Sequence, residues 1–200
     1  MSNKQNKKES GYTLIETMIA VSLFIIIVMV GMGALLNANL LHQKSQNMRS
    51  LLDNMSFVIE DMGRNLRTGS GYHCISGGGV AESSLGSNTP LSGQNCWGIS
   101  FEPAGPLGSP QWAYEIVTQG NSSFIVRSTD NGATWVQLTP DEAIIDTTAS
   151  YFSILGAEPP SAGDNQQPLT TIHLVGRIIY KNVTTPFSLQ TSVSQRQIDI

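Results

Sequence analysis

The chain has 200 residues, of which 13% are charged. That is about half the roughly 25% usual for a soluble domain. The formal net charge is -4, and the basic residues beyond the N-terminus are scattered, so no Lys/Arg strip presents a footprint for nucleic acid. Apolar residues make up 40% and are patterned, which excludes a disordered chain; the length suits one modest core plus a helix rather than two full domains.

Charge is distributed unevenly from the start. Lys4, Lys7 and Lys8 fall in the first eight residues, with Glu9 the only acid before Gly11, and from Thr17 to Gln43 there is no Asp, Glu, Lys or Arg. The most apolar part, Met18 to Leu36, is long enough as a helix to cross a hydrocarbon layer of roughly 30 Å. The lysines ahead of it favour an N-in orientation, with everything after Leu41 outside the cytoplasm. An ordinary secretory signal has a shorter apolar region, followed by a small-residue cleavage site. Here the candidate cleavage signal precedes the apolar run.

Lys7-Lys8-Glu9-Ser10-Gly11 followed by Tyr12-Thr13-Leu14-Ile15-Glu16-Thr17-Met18 resembles the type IV pilin and pseudopilin family: a short basic leader ending in Gly, an aromatic residue, then a Thr-Leu-Ile/Val-Glu run opening a membrane helix. The resemblance implies that Gly11 is the last leader residue, read by a prepilin peptidase on the cytoplasmic side. Tyr12 is then the new N-terminus, methylated by the same peptidase/methyltransferase. The pattern more often has Phe where this chain has Tyr12. Glu16 falls at the fifth mature position, the family's assembly acid. The implied partners are other pilin or pseudopilin subunits, the inner-membrane assembly platform and membrane lipid; the implied location is a bacterial cell membrane, then a surface or periplasmic filament. Glu16 also stands out physically. An acid at the edge of a membrane span is costly and usually functional, and a first-turn position suits an anion. It can pair with the amine of Tyr12 in an adjacent subunit, setting the stagger. The plainer reading places it at the lipid headgroups of a simple anchor.

Beyond the span, Met48, Leu52, Met55, Ile59, Met62 and Leu66 recur at spacings of three and four, widened by Leu51 and Val58, with Arg49, Asp53, Glu60, Asp61, Arg64 and Arg67 between them. This predicts an amphipathic helix, continuous with the first and ending near Thr68-Gly69-Ser70-Gly71. The stripe is too short to favour a coiled coil over packing against the chain's own sheet. Gly31 and Gly33 weaken the membrane helix near its middle.

Residues 71–110 are rich in Gly, Ser, Asn and Pro and read as a connector. Cys74 and Cys96 are the only cysteines, and in an exported chain such a pair reads as a disulfide that staples the connector to the head. A metal site at Cys74 and His73 lacks further clustered ligands. Strands are predicted at Gln111–Thr118, Ser123–Thr129, Thr134–Leu138, Tyr151–Leu155, Leu169–Tyr180, with Gly176 as a bulge, and Phe187–Ile198. The expected product is α+β: a long N-terminal helix, transmembrane then amphipathic, packed against one C-terminal antiparallel sheet of four to six strands, as in the pilin fold. The closing Phe187–Arg196 stretch resembles the last strand of pseudopilin and minor-pilin heads, more weakly than the N-terminal motif. The expected division is 1–11 leader, 12–43 membrane or filament-core helix, 44–68 amphipathic helix, and 69–200 extracytoplasmic head with a disulfide loop at 74–96.

Ser128-Thr129-Asp130-Asn131-Gly132-Ala133-Thr134-Trp135 fits the Asp-box pattern of sialidase and other propeller hairpins. One copy without repeated blades reads as a turn device, with Asn131-Gly132 supplying positive φ and Asp130 bonding turn amides. No G-x-S-x-G motif appears; His42, His73 and His173 are widely spaced; Asp141, Glu142 and Asp164 read as solvated loop charges, with too few ligands at Asp164-Asn165 for calcium. Lys44, Arg49, Arg64 and Arg67 are better suited to helix ion pairs than to DNA. The function expected is therefore a non-enzymatic filament subunit, a minor pilin or pseudopilin of a type IV pilus or type II secretion-like filament, without metal or cofactor. The alternative is a membrane-anchored extracytoplasmic ligand- or glycan-binding protein.

Overall fold

The computed structural model describes residues 11–78, 81, 85, 89–106, 108–163, 166–180 and 183–196. The basic leader Lys4, Lys7, Lys8 and Glu9, the Asp164-Asn165 pair and the predicted strand end at 197–198 lie outside them. By its internal contacts the chain forms two units, Met1–Gln46 and Asn47–Ile200.

A single helix, α1 (Leu14–Thr68), enters both units. It starts where the Thr13 carbonyl accepts hydrogen bonds from the backbone N–H groups of Glu16 (3.1 Å) and Thr17 (3.2 Å). Its sequence contains no proline. It stops at Gly69, whose N–H reaches the Asn65 carbonyl at 3.1 Å. A side chain on Gly69 would meet the Phe101 ring at 2.4 Å. The Tyr72 hydroxyl lies against the carbonyls of Leu66 and Gly69, donating to one at a time and closing the last turn. Burial pushes the Tyr72 phenol well above its ordinary range, so it stays a donor.

In the second unit, ten strands among the described residues form two antiparallel sheets. The first comprises β1 (Ser70–Ile75), β3 (Gly98–Glu102), β4 (Trp112–Gln119), β5 (Ser122–Ser128) and β6 (Val136–Gln137), in that order. The second runs β10 (Val183–Ser194), β9 (Leu169–Tyr180), β8 (Tyr151–Leu155), β2 (Gly93–Cys96), with β7 (Ala143–Ile145) also paired to β9. The α1 stripe Met55, Val58, Met62 and Leu66 is buried against both: Ile99, Phe101, Tyr114, Ile116 and Ile125 from the first, Phe152, Ile154, Ile172, Leu174 and Val193 from the second. Period-three and period-four apolar residues on a helix meet period-two apolar residues on strands, and the apolar faces close one core.

The α+β class is as expected, but the single sheet is corrected to two. The strands unread in the sequence explain why. β2 is Gly-Gln-Asn-Cys, a segment with little strand propensity. It is fixed instead by the Cys74–Cys96 disulfide and by pairing with β8. β2 and β3 fall within the supposed connector, and β1 enters it from Ser70. The predicted strand at Thr134–Leu138 shrinks to Val136–Gln137, because Thr134 is tied back to Asp130. Gly176 is not a bulge. It pairs in unbroken register with Phe187, and a side chain there would lie 2.4 Å from the Ile144 carbonyl and 2.8 Å from the Phe187 ring. Glycine permits β7, β9 and β10 to approach closely at this point.

Candidate assembly segment and head surface

At the start of α1, Thr13 supplies the initiating carbonyl, and Glu16 stands in the first turn with its side chain exposed. The unpaired N–H groups there favour an anion. Gly11 and Tyr12 precede the helix, and Tyr12 is 82% exposed. Thr17 satisfies its own hydroxyl on the Leu14 carbonyl at 2.8 Å, so it adds no polar demand to the helix surface. From Leu14 to Leu41 the apolar side chains are exposed: Ile15, Phe24, Met29, Leu35 and Leu40 among them. The helix contains an 18-residue window of mean hydropathy 2.8 with none of it buried, long and apolar enough by length and composition to cross a membrane. A surface this apolar requires lipid or protein to cover it.

In the second unit, Cys74 of β1 and Cys96 of β2 are disulfide-bonded with Cα atoms 5.5 Å apart. The bond therefore links the two sheets. Gly93 packs under it, and a Cβ there would meet Cys74 Sγ at 2.4 Å.

The Asp-box segment forms the turn between β5 and β6. Asn131 and Gly132 take φ of 60° and 85°. Asp130 accepts from the Thr134 hydroxyl (2.6 Å), the Thr134 N–H (2.8 Å) and the Ser128 hydroxyl (2.7 Å). These bonds, the Thr134 hydroxyl first, hold the exposed Asp130 carboxyl below the usual carboxylate range. Gln111 donates its N–H to Asn131 Oδ1 at 2.6 Å, fastening the turn to the start of β4. The carboxylate is consumed by its own turn.

The histidines serve local contacts in three separate places. His42 Nε2 faces the Gln46 amide nitrogen at 3.0 Å, His73 Nδ1 lies 2.8 Å from the Thr89 carbonyl, and His173 Nδ1 lies 2.9 Å from the Ala149 carbonyl. Among the described residues no group of three or more His, Cys, Asp or Glu side chains is placed to hold a metal ion.

Two polar clamps escape a reading of the sequence. Asp61 on α1 accepts from Arg127 of β5 at 3.3 Å, and Arg127 lies over the Trp112 ring at 5.8 Å. Asn65, one turn on, donates to Asp61 (3.3 Å) and to the Tyr114 hydroxyl (2.9 Å). Both charges border the core rather than face solvent freely, so the clamp fixes α1 on the first sheet. The second joins Glu158 to Ser92, whose N–H and hydroxyl donate to its two carboxylate oxygens at 2.7 and 2.5 Å; the Ser92 hydroxyl in turn accepts from the Ala157 N–H. The Ser92 hydroxyl, then its N–H, lower the Glu158 carboxyl. The partners are 66 residues apart, and no local spacing signals such a pair.

Residues 6–36 match a family model described as the prokaryotic N-terminal methylation motif, the prepilin cleavage signal of type IV pilins and pseudopilins. No curated protein and no solved structure matches the chain. The motif supports a pilin-like or pseudopilin subunit at the general level and points to a structural protein. It implies processing by a prepilin peptidase and assembly with other pilin subunits; with the apolar helix, it supports membrane anchoring and filament assembly.

Proposed function

We propose that the chain is a minor pilin or pseudopilin, inserted with its N-terminus in the cytoplasm, cleaved after Gly11, N-methylated on Tyr12, and passed by an inner-membrane assembly platform from lipid into a type IV pilus or type II secretion-like filament. The observation that carries this is the methylation motif at 6–36 running directly into a helix whose apolar side chains are uncovered. In the membrane those side chains meet acyl chains; in a filament they meet the same face of sister helices. Packing and polar complementarity then decide association, because lipid is already apolar. Glu16 supplies that complementarity: in a dry core its carboxylate pairs with the Tyr12 amine of the next subunit, since an unpaired charge there costs several kcal/mol.

Mass spectrometry of the chain purified from cells that possess the peptidase tests the proposal. An N-methylated Tyr12 terminus supports it, and an intact Met1 terminus overturns it. Glu16→Gln separates processing from assembly: it should be cleaved normally yet be missing from sheared filaments. Normal incorporation of that variant would remove the role given to Glu16.

A further inference from the structure

The second unit carries opposite charges at opposite ends of one strand. β9 begins at Leu169, opposite Ser194 of β10. Two residues on, the Arg196 N–H donates to the Arg67 carbonyl at 2.9 Å, which brings Arg196 to the end of α1. With Arg64 this makes a three-arginine corner, all exposed. At the other end, the Ile179 N–H donates to the Glu142 carbonyl at 2.9 Å, and Asp141 is adjacent. Leu169 to Ile179 spans about 33 Å at the rise of an antiparallel strand. No described acid lies within salt-bridge distance of Arg67 or Arg196, and no described cation within that distance of Asp141 or Glu142. Arg64 reaches only Glu60 at 3.4 Å, with both side chains about three-quarters exposed (76% and 73%).

The arginine corner also has a built floor. A groove of 380 Å³ lies between α1 and β10, bottomed by Ile59, Gly63 and Val193 and rimmed by Arg64 and Arg67, with Glu60 beside Arg64, so that two arginines outweigh one acid. On α1, Phe57 follows groove-lining Ser56 in the chain and is 70% exposed, the most exposed large apolar side chain of this unit among the described residues. Its wall, β10, is the long free edge of its sheet. In an antiparallel ladder, alternate residues turn both N–H and C=O to the same side. Val175 and Ile179 spend theirs toward Ser150, Asp146 and Glu142, so their β10 partners Ser188 and Thr184 direct theirs outward, as do Gln190 and Ser192 in the same row. From Val183 to Ser194 there is no charged residue and no break in register, and Pro186 alone blunts that row. Such an edge is normally guarded by charge or bulge. The free edge of β1 differs: its Tyr72 and Cys74 exchange backbone hydrogen bonds with Leu91.

We infer that this groove receives the acidic Asp141-Glu142 loop of a second copy, so that successive heads contact head to tail. Like surfaces would place arginine against arginine, so the contact is heterologous. A heterologous contact that does not close on itself propagates, which is the symmetry a filament needs. The inference rests on the filament reading above and adds which surfaces of the head meet.

The test uses the full-length chain in cells that assemble it, with one copy carrying Arg67→Cys and a second carrying Glu142→Cys. The expected result is a disulfide-linked heterodimer in sheared filaments, formed by the mixed pair and not by either variant alone. Reversing the acids in the Glu142→Cys copy (Asp141→Lys) together with Arg64→Glu in its partner should restore a yield that Asp141→Lys alone lowers on the order of tenfold, as charge complementarity across an interface requires. Filaments that form without the mixed cross-link overturn this inference and leave the filament reading standing. Cross-linking indifferent to Asp141→Lys also overturns it. Absence of filaments from cells expressing the unaltered chain would remove the filament reading and this inference with it.

Discussion

Gly176→Ala isolates the closeness of three strands. The added Cβ would stand 2.4 Å from the Ile144 carbonyl oxygen and 2.8 and 3.0 Å from two carbons of the Phe187 ring. The ring lies on a side chain and can shift; the carbonyl belongs to β7, which is paired to β9 at this very residue, and can shift only with its strand. Overpacking of this kind costs about 1–3 kcal/mol. The backbone contact places Gly176→Ala in the upper half of that range. For a unit of this size a loss of about 2 kcal/mol lowers the melting temperature by roughly 4–8 °C. All three tryptophans, Trp97, Trp112 and Trp135, lie in the second unit, so their fluorescence in detergent-solubilised full-length protein reports on that unit alone. Phe187→Leu in the same background should recover only part of the loss, because it removes the ring and not the carbonyl. A Gly176→Ala protein melting within a degree of the parent, or one fully rescued by Phe187→Leu, would refute the assignment of the cost to β7.

The same melt tests three further expectations. Cys74→Ser with Cys96→Ser should destabilise the head by about 3 kcal/mol through lost loop closure, and reductant should bring the parent toward the variant. Asp61→Ala and Arg127→Ala should couple by about 0.5–1 kcal/mol in a double-mutant cycle, a modest figure because both side chains are about one-third exposed (32% and 31%) and partly screened; additive losses would mean that the ring contact with Trp112 alone holds Arg127. Glu158 is lowered in the folded state, so its contribution is complete above the ordinary glutamate range near pH 4.3 and fades as pH falls through that value toward the folded one. Glu158→Gln should therefore lower stability at pH 7 and flatten the acid limb, the two proteins converging as pH falls, and an unchanged acid limb would count against the Ser92 clamp.

What the sequence revealed depended on whether a pattern repeated. Met55, Met62 and Leu66 declare their helix face by spacing, and Ile172, Leu174 and Ile178 declare a strand face. The motif at Gly11-Tyr12 and Glu16 is contiguous and was legible in the same way. β1 and β2 were not, because Gly93-Gln94-Asn95-Cys96 has turn composition and becomes a strand only through Phe152 beside it and the sulfur bridge behind it. Gly176 looked like an interruption because sequence does not reveal that a carbonyl from β7 fills the missing volume. Arg127 and Asp61, and Ser92 with Glu158, meet across 66 residues each, where tertiary packing alone creates the pairing.

The bridge between Cys74 and Cys96 also determines how the head bears load. Along the backbone, a pull delivered through α1 enters the sheets at Ser70, the first residue of β1 and four residues before the bridge, while the buried α1 stripe passes the rest through the core. With the bridge closed, tension entering β1 is divided at once between two layers and does not travel along residues 75–95. Opened, the backbone path loads the first layer alone at its own edge strand, where a short ladder can peel one bond at a time. Cys74 and Cys96 thus set how the backbone's share of a load is divided between the layers.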